Sequence, residues 1–577
     1  MSFQWLLAPV NTTLVEEVGK AHGIHPIVAQ CAINRGAKTA GEIEQFLDPK
    51  LRNLTDPFLL PNMTQAVDRL CAARAGQEEV LVFGDYDVDG ITSTASLAEF
   101  LGHFGWKVQS YLPDRLKEGY GITTLAVENA LQTCHPGLIV AVDCGTNAAG
   151  PIELLQSRAI DVIVVDHHEI VSPALSAVAL VNPKLSRDGC GNGFGHDLCA
   201  AGLSFKLAHA LLKRARLEKW PGADAYDIKS LLDLVALGTV ADLVPLQGEN
   251  RILVKAGLRR IGETERPGLK ALKQAAQLNG EMDTQAVSFQ LAPRLNASGR
   301  LEHARESLNL LAERDWGKAV LLAGRLDAHN RKRQGIEKQM VDEIMASVRT
   351  RFQPETDYVI VEGEESWHVG VVGIVASRIL REFNRPTIVI GSEGGEWRGS
   401  GRSIEGFDLS ASLERCADVL VRHGGHAMAA GLTILPEKLG EFRLRLNHLA
   451  QATLTPQSFQ RRLGLDAEVR LADMNPATLA ALDALEPTGQ GNPAAQFVIR
   501  GVRCDGPWRR MGVSQKHAKF QVTDGQTTHE VVWWSCQDAK LPDGSIDIAV
   551  TPSLNSYQGR EYLQLKLLDW RVSGERA

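Results

Sequence analysis

A chain of 577 residues exceeds what one hydrophobic core organises, so about three or four domains are expected. With 44% hydrophobic and 23% charged residues and no low-complexity tract, it is globular rather than fibrous or disordered. The formal charge of −7 excludes a protein that coats DNA by charge alone, while leaving room for a local basic groove. No apolar run reaches the roughly 20 residues that span a bilayer, and no signal peptide is read at the N-terminus. Nine cysteines without a C-x-x-C pair argue against a disulfide framework or zinc ribbon, and for a reducing, cytoplasmic setting.

Residues 1 to about 75 read as short helices bounded by Gly, Pro or polar breaks. From Glu79, four apolar runs (80–83, 138–142, 162–165 and 178–181) carry little polar alternation, as in strands buried on both faces of a parallel sheet. Helical stretches between them imply right-handed βαβ units and an open α/β sheet. A mostly helical section runs from Ala200 to about Ala312. Residues 315–348 keep helical periodicity, either as two helices broken at Gly324 or Gly335 or as one long connector. The second α/β pattern that follows (358–361, GIVASRILREF, 387–390) favours the connector. Beyond about Thr455, short β-type runs separated by Gly, Asp and Asn predict a small antiparallel barrel or sandwich. The expected division is N-terminal helices plus a catalytic α/β domain in 1–314, a connecting helix in 315–349, a second α/β domain in 350–455 and a β domain in 456–577.

Three acidic motifs follow buried runs: Asp85-Tyr86-Asp87-Val88-Asp89-Gly90, Asp143, and Asp166-His167-His168. In an open α/β sheet, side chains beyond the carboxyl ends of neighbouring strands converge on one crevice. Carboxylates crowded there repel one another unless cations neutralise them. Oxygen ligands with one or two imidazoles suit Mn²⁺ or Mg²⁺ better than zinc. Asp242, after the helical LLDLVAL, is a further candidate, and Gly90 is expected to permit a sharp exit into the next helix. Taken alone, D-x-D is weak evidence because Asp often caps helices, and D-x-D-x-D-G also opens an EF-hand loop. That loop needs Glu at its twelfth position, where Ser96 stands, and a preceding helix, where a strand is read. No Ser-His-Asp or Cys-His arrangement points to a covalent nucleophile.

Farther on, Gly399-Ser400-Gly401-Arg402-Ser403 and Gly424-Gly425-His426 offer backbone N–H groups, hydroxyls, a guanidinium and an imidazole, which are phosphate ligands by chemistry. Arg294, Asn296 and Arg300 add to them. The β domain carries Gly489-Gln490-Gly491-Asn492-Pro493, four arginines (Arg500, Arg503, Arg509, Arg510) and the aromatics Trp508, Phe520, Trp533, Trp534, Tyr557 and Tyr562. These suit an OB-fold that tracks a strand's backbone and stacks its bases. The bland reading makes most of the aromatics core, with alternation turning one of Trp533 and Trp534 inward. By residue chemistry alone, the metal centre and phosphate clamp serve a dinucleotide, a polyphosphate or DNA.

In the order of Asp85–Gly90, Asp143-Cys144-Gly145, Asp166-His167-His168 and Ala241-Asp242, the chain resembles the DHH phosphoesterase superfamily, and within it the RecJ family of exonucleases. Pro113-Asp114-Arg115, Glu118-Gly119-Tyr120-Gly121, Pro293 to Arg300, Trp367-His368-Val369-Gly370, Gly399 to Ser403 and Gly424 to Gly431 agree, so the likeness covers nearly the whole chain. It departs at Ser298, where Ala is expected, and at Cys199-Ala200-Ala201-Gly202. The resemblance implies a multidomain α/β protein: a parallel-sheet DHH domain, a long connecting helix, a DHH-associated domain facing the metals across a cleft, and a C-terminal OB-fold. It further implies two Mn²⁺ or Mg²⁺ ions, one on Asp85, Asp87 and Asp143, the other on Asp89, Asp143, His167 and Asp242. Asp166 is then in support and His168 faces the phosphate, making Asp143, Asp166 and His168 the candidate catalytic residues. The implied activity is 5′-to-3′ degradation of single-stranded DNA in recombination and repair, with single-strand-binding protein and a repair helicase as partners. No residues stand out for those partners, and a monomer without membrane contact is expected. Two alternatives stay open: a DHH hydrolase of oligonucleotides or small phosphoesters, and a non-catalytic replication scaffold. The C-terminal β domain argues against the first, and the filled acidic and histidine positions argue against the second.

Overall fold

A computed structural model describes residues 3–171, 176–185, 195–512, 515–536, 539, 544–557 and 560–574. They divide into two units: one of residues up to Pro113, Tyr120–Ala292 and Arg462 onward, and one of Asp114–Gly119 and Pro293–Arg461. In the first unit the four apolar runs are neighbouring parallel strands of a five-stranded sheet, ordered Lys107–Tyr111, Glu79–Phe83, Leu138–Val142, Asp161–Val165 and Ala179–Val181. The edge strand Lys107–Tyr111 escapes the sequence pattern because its residues stay partly exposed and only two of the five are apolar by character. Alternate side chains of the central strands enter two cores. Val80, Val82, Val140, Val142, Ile163 and Val165 share one with residues of helices Met63–Ala75, Val88–His103 and Ala200–Leu217. Leu81, Phe83, Ile139, Ala141, Val162 and Val164 share the other with helices Thr124–Leu131 and Ala149–Ser157. Burial on both faces is why these strands read as unbroken apolar runs. Phe83 stands beside Ala141, Val142 beside Val165, and Val165 beside Val181, so the strands end level and their acidic motifs leave the sheet at one edge.

The C-terminal segment of the same unit is a barrel. Phe497–Met511 pairs with both His517–Thr523 and Ser545–Tyr557, and the ring continues through Thr528–Trp533 and Arg560–Val572. The pairing of those last two strands is parallel, so the barrel is not wholly antiparallel as expected. Phe520 is buried in its core, Trp508 and Trp533 lean on that core, and Trp534 and Tyr562 are exposed. The side chain of Tyr557 lies outside the described residues. The N-terminal helices form as expected, as Thr12–His22, Pro26–Asn34 and Ala40–Leu47. They follow an unforeseen strand, Gln4–Leu7, whose partner is Arg462–Leu465 at the far end of the chain.

The Gly489–Pro493 segment, read above as part of a nucleic-acid surface, docks the barrel's lead-in on the α/β part of the unit. Gln490 O accepts from Leu246 N at 2.7 Å, and Gly491 O accepts from Gln247 Nε2 at 2.9 Å. The Asn492 side chain donates to the carbonyls of Leu485 and Pro487 at 2.8 and 2.7 Å. Beside it the buried guanidinium of Arg251 donates to the carbonyls of Ala484, Leu485, Glu486 and Pro487 at 2.9–3.0 Å and of Phe46 at 2.6 Å.

In the second unit, Trp316–Arg351 is one helix of 36 residues, running unbroken through Gly324 and Gly335. Its length is about 54 Å at 1.5 Å per residue. The sheet of this unit is ordered Arg422–Gly425, Ala429–Ile434, Glu396–Arg402, Thr387–Glu393 and Ile360–Gly363. No helix among the described residues is long and apolar enough to cross a membrane.

Candidate metal centre

Residues 84–87 link strand Glu79–Phe83 to helix Val88–His103, and Asp87 caps that helix by accepting from the N–H groups of Asp89 and Gly90 at 2.9 and 3.3 Å. Gly90 sits in the first helical turn at an ordinary φ, so it makes no sharp exit; a Cβ there would lie 2.5 Å from Asp85 O, and glycine lets the acidic turn fold onto the helix. Asp89 meets the start of helix Ala200–Leu217, accepting from Ala200 N and Ala201 N at 2.8 Å each, the favourable place for an anion. Gly238 brings helix Leu232–Ala241 close: a Cβ there would lie 2.3 Å from Thr92 Oγ1 and 2.7 Å from Ala201 Cβ. Asp242 is the C-cap of that helix, the end where the dipole disfavours a carboxylate. Asp143 directly follows Val142 at φ 63°, a left-handed conformation that costs a non-glycine residue about 1 kcal/mol or more.

These elements bring every predicted ligand together. Ligand-type atoms of Asp85, Asp87 and Asp143 lie within 4.8 Å of one another, as do those of Asp89, His167 and Asp242, and those of Asp143, Asp166, His167 and His168. His167 Nε2 stands 3.3 Å from Asp143 Oδ1, 3.6 Å from Asp242 Oδ2 and 3.8 Å from Asp89 Oδ2. Burial, then the neighbouring carboxylates, pushes Asp242 up to about 9 and Asp143 well above the usual range. Burial and the charge of Asp87 push Asp89 up to about 6. Burial, then His168, brings His167 down to about 4, leaving a neutral imidazole able to ligate a cation. His167 Nε2 and Asp242 Oδ2 are buried and lack hydrogen-bond partners among the described residues. Buried carboxylates that repel, an orphaned imidazole nitrogen and an oxygen-rich donor set fit divalent cations of the Mn²⁺ or Mg²⁺ type.

Asp166 is differently engaged. Its Oδ1 accepts from His167 N at 2.8 Å and stands 2.7 Å from His168 Nδ1, while Oδ2 accepts from Thr146 N at 3.0 Å. Despite burial, which raises it, the bond and charge of His168 hold this carboxyl below its usual range. The same bond outweighs burial at His168 and raises the imidazole. Asp166→Asn should therefore lower kcat/KM about 10–100-fold through a misoriented His168, with Mn²⁺ affinity changed far less; steady-state kinetics beside a Mn²⁺ titration check both.

Sequence reasoning assigned no role to Tyr120 or Asn182. Tyr120 donates its hydroxyl hydrogen to Asp143 O at 3.0 Å and lies 3.0 Å from His168 Nε2. Asn182 donates to Thr146 Oγ1 and His168 O, at 3.0 Å each. Tyr120 stood only inside a family-like segment, and Asn182 carried no signal because its task depends on a neighbouring strand.

The predicted phosphate ligands all lie in the second unit. Ser400 and Arg402 share one strand face, with Arg402 Nη1 donating to Ser400 Oγ at 3.0 Å. Arg402 pairs with Ala429 in register, at the hairpin that exposes Gly425 and His426. Burial, then the nearby charge of Arg115, lowers the Arg402 guanidinium. Ser403 does not join this group: its buried hydroxyl donates to Phe407 O at 2.6 Å, because the chain turns inward there. Arg294 pairs with Asp327 at 3.0 Å, Arg300 donates to Gly370 O at 3.2 Å, and Asn296 is half-buried on the same helix. Ser298 is buried with its hydroxyl bonded to Leu295 O and Ser307 Oγ, so the hydroxyl at this family-divergent position is satisfied.

Residues 79–239 match the DHH family N-terminal domain, residues 356–452 the DHHA1 domain and residues 465–569 the RecJ OB domain. The chain is 36% identical over 577 residues to the single-stranded-DNA-specific exonuclease RecJ of Bacillus subtilis, across 99% of this chain and 71% of that protein. The crystal structure of RecJ with Mn²⁺ from Thermus thermophilus matches at a TM-score of 0.84 and 30% identity, covering 100% of this chain and 81% of that one. The Mg²⁺ complex from the same source matches at 0.79 and 29%, covering 100% and 80%.

Proposed function

The chain belongs to the RecJ family of single-stranded-DNA-specific exonucleases, and we propose that it is a metal-dependent nuclease that degrades single-stranded DNA from the 5′ end. One observation supports this reading above others: Asp143, at a strained backbone position, contributes to two of the carboxylate and imidazole clusters at the sheet edge. Asp85, Asp87 and Asp143 would hold one cation, and Asp89, Asp143, His167 and Asp242 the other. When bound, such a pair of cations supplies an activated water and neutralises charge on the phosphoryl group. The chain's own residues do the rest. Asp166 holds the His168 ring and favours its protonated form, with an N–H facing an incoming phosphate oxygen. Because Tyr120 spends its only hydrogen on Asp143 O, it accepts from His168, and the phosphate oxygen replaces it as acceptor. Ser400, Arg402, Gly425 and His426, with Arg294, Asn296 and Arg300, bind backbone phosphates. The exposed Trp534 and Tyr562 offer stacking faces on the barrel.

The division into 1–314, 315–349, 350–455 and 456–577 is proposed with these roles, as are a cytoplasmic monomer acting in recombination and repair and its association with single-strand-binding protein and a repair helicase. The test is Mn²⁺-dependent digestion of matched single- and double-stranded DNA with either end blocked in turn. Single strands with free 5′ ends should be consumed. Attack from the 3′ end overturns the polarity, and faster turnover of a dinucleotide than of a long strand overturns the substrate.

A further inference from the structure

Between the short helix Thr284–Ala286 and the helix Ala292–Leu301 the backbone opens into a π segment, Val287–Leu291. Such segments are rare and recur at functional sites. Phe289 stands in its middle, 71% exposed, the most exposed aromatic among the described residues. A single exposed apolar residue needs no explanation, but this one has company. The π segment packs against helix Leu232–Ala241, which delivers Asp242 to the carboxylate cluster. Leu243, the next residue, is 66% exposed at φ 60°, so a second apolar side chain is held in water by a costly backbone conformation. One turn holds both places: Thr284 Oγ1 donates to Thr488 O at 2.6 Å, and Leu246 N donates to Gln490 O at 2.7 Å.

An apolar ring held in solvent on a segment packed against the helix that ends at Asp242 fits one partner chemistry, the flat face of an unpaired nucleobase. We propose that Phe289 is a stacking platform for one base of the substrate strand, continuous with the site at Asp242, and that this contact favours single strands. In a duplex the base faces are already stacked on their neighbours, so the ring gains nothing there. The inference rests on the proposed nuclease activity and goes beyond it by naming the group that reads strandedness.

The experiment is an abasic scan. A series of 5′-phosphorylated oligothymidines, each with one abasic residue at a successive position from the 5′ end, is digested in Mn²⁺, and KM and kcat are measured for each. Wild type should show one position where the missing base raises KM about tenfold, as loss of one stacked base predicts. Phe289→Ala should have that raised KM on the intact strand and no step in the scan, while Phe289→Tyr keeps the step. Because the side chain is exposed, equal melting temperatures should accompany these changes. A scan without a step in wild type, or a Phe289→Ala enzyme that retains it, overturns the platform whatever its absolute KM. A wild-type protein that fails to degrade any single-stranded DNA overturns the nuclease reading instead.

Discussion

Asp143→Asn is expected to abolish nuclease turnover, by at least about a thousandfold, with the fold intact. Asp143 belongs both to the group with Asp85 and Asp87 and to the group with Asp166, His167 and His168, so its loss disturbs both. Asparagine tolerates the left-handed backbone of this position, which keeps the variant folded. A second readout separates loss of cations from loss of structure. In chelator, removing one of several mutually repelling buried carboxylates should raise the melting temperature above that of wild type. Added Mn²⁺ should stabilise wild type, by about 2.7 kcal/mol at a hundred times its dissociation constant, and should stabilise the variant much less. Equal Mn²⁺-induced shifts in both proteins would show that Asp143 holds no cation.

Arg251→Met is expected to destabilise the protein strongly. The guanidinium is 1% exposed and serves five carbonyls, four of them from the consecutive residues Ala484 to Pro487. Methionine replaces its volume but leaves those oxygens buried without donors, at a cost of about 1–3 kcal/mol for each that cannot reach water. Partial relaxation makes about 3–5 kcal/mol a fair total for losing a buried charged partner. The loss should be localised, because these bonds tie the stretch ahead of the barrel to helix Gly248–Gly262. Urea unfolding should develop an early phase, and limited proteolysis should cut first between residues 455 and 490. A single unfolding transition at the wild-type midpoint would show that the barrel's seat does not depend on Arg251.

Much of the site was legible in the chain because it obeys a rule of strand ends. Buried parallel strands announce themselves as apolar runs, and the residues just beyond them share a crevice, so Asp85, Asp143 and Asp166 declared themselves before any coordinates. The barrel was legible through its short β runs, and the long helix through its periodicity, although Gly324 and Gly335 left its continuity open. Glycines carry two roles that local pattern does not record. Gly90 marks a close backbone approach rather than a sharp exit, and Gly489–Asn492 docks the barrel's lead-in against Leu246 and Gln247; in both, the partner that needs the space or the carbonyls is invisible to local pattern.

The sequence by itself determined which side chains are candidates for the metal centre, since carboxylate and imidazole identity and their order at strand ends are local properties. Tertiary structure alone decided how they are held. It turned the Ser403 hydroxyl inward, set Tyr120 between Asp143 and His168, and paired Gln4–Leu7 with Arg462–Leu465. It also placed Phe289 in water on a π segment beside the helix that ends in Asp242. Each of these depends on contacts between residues distant in the chain, and neither propensity nor periodicity records such contacts.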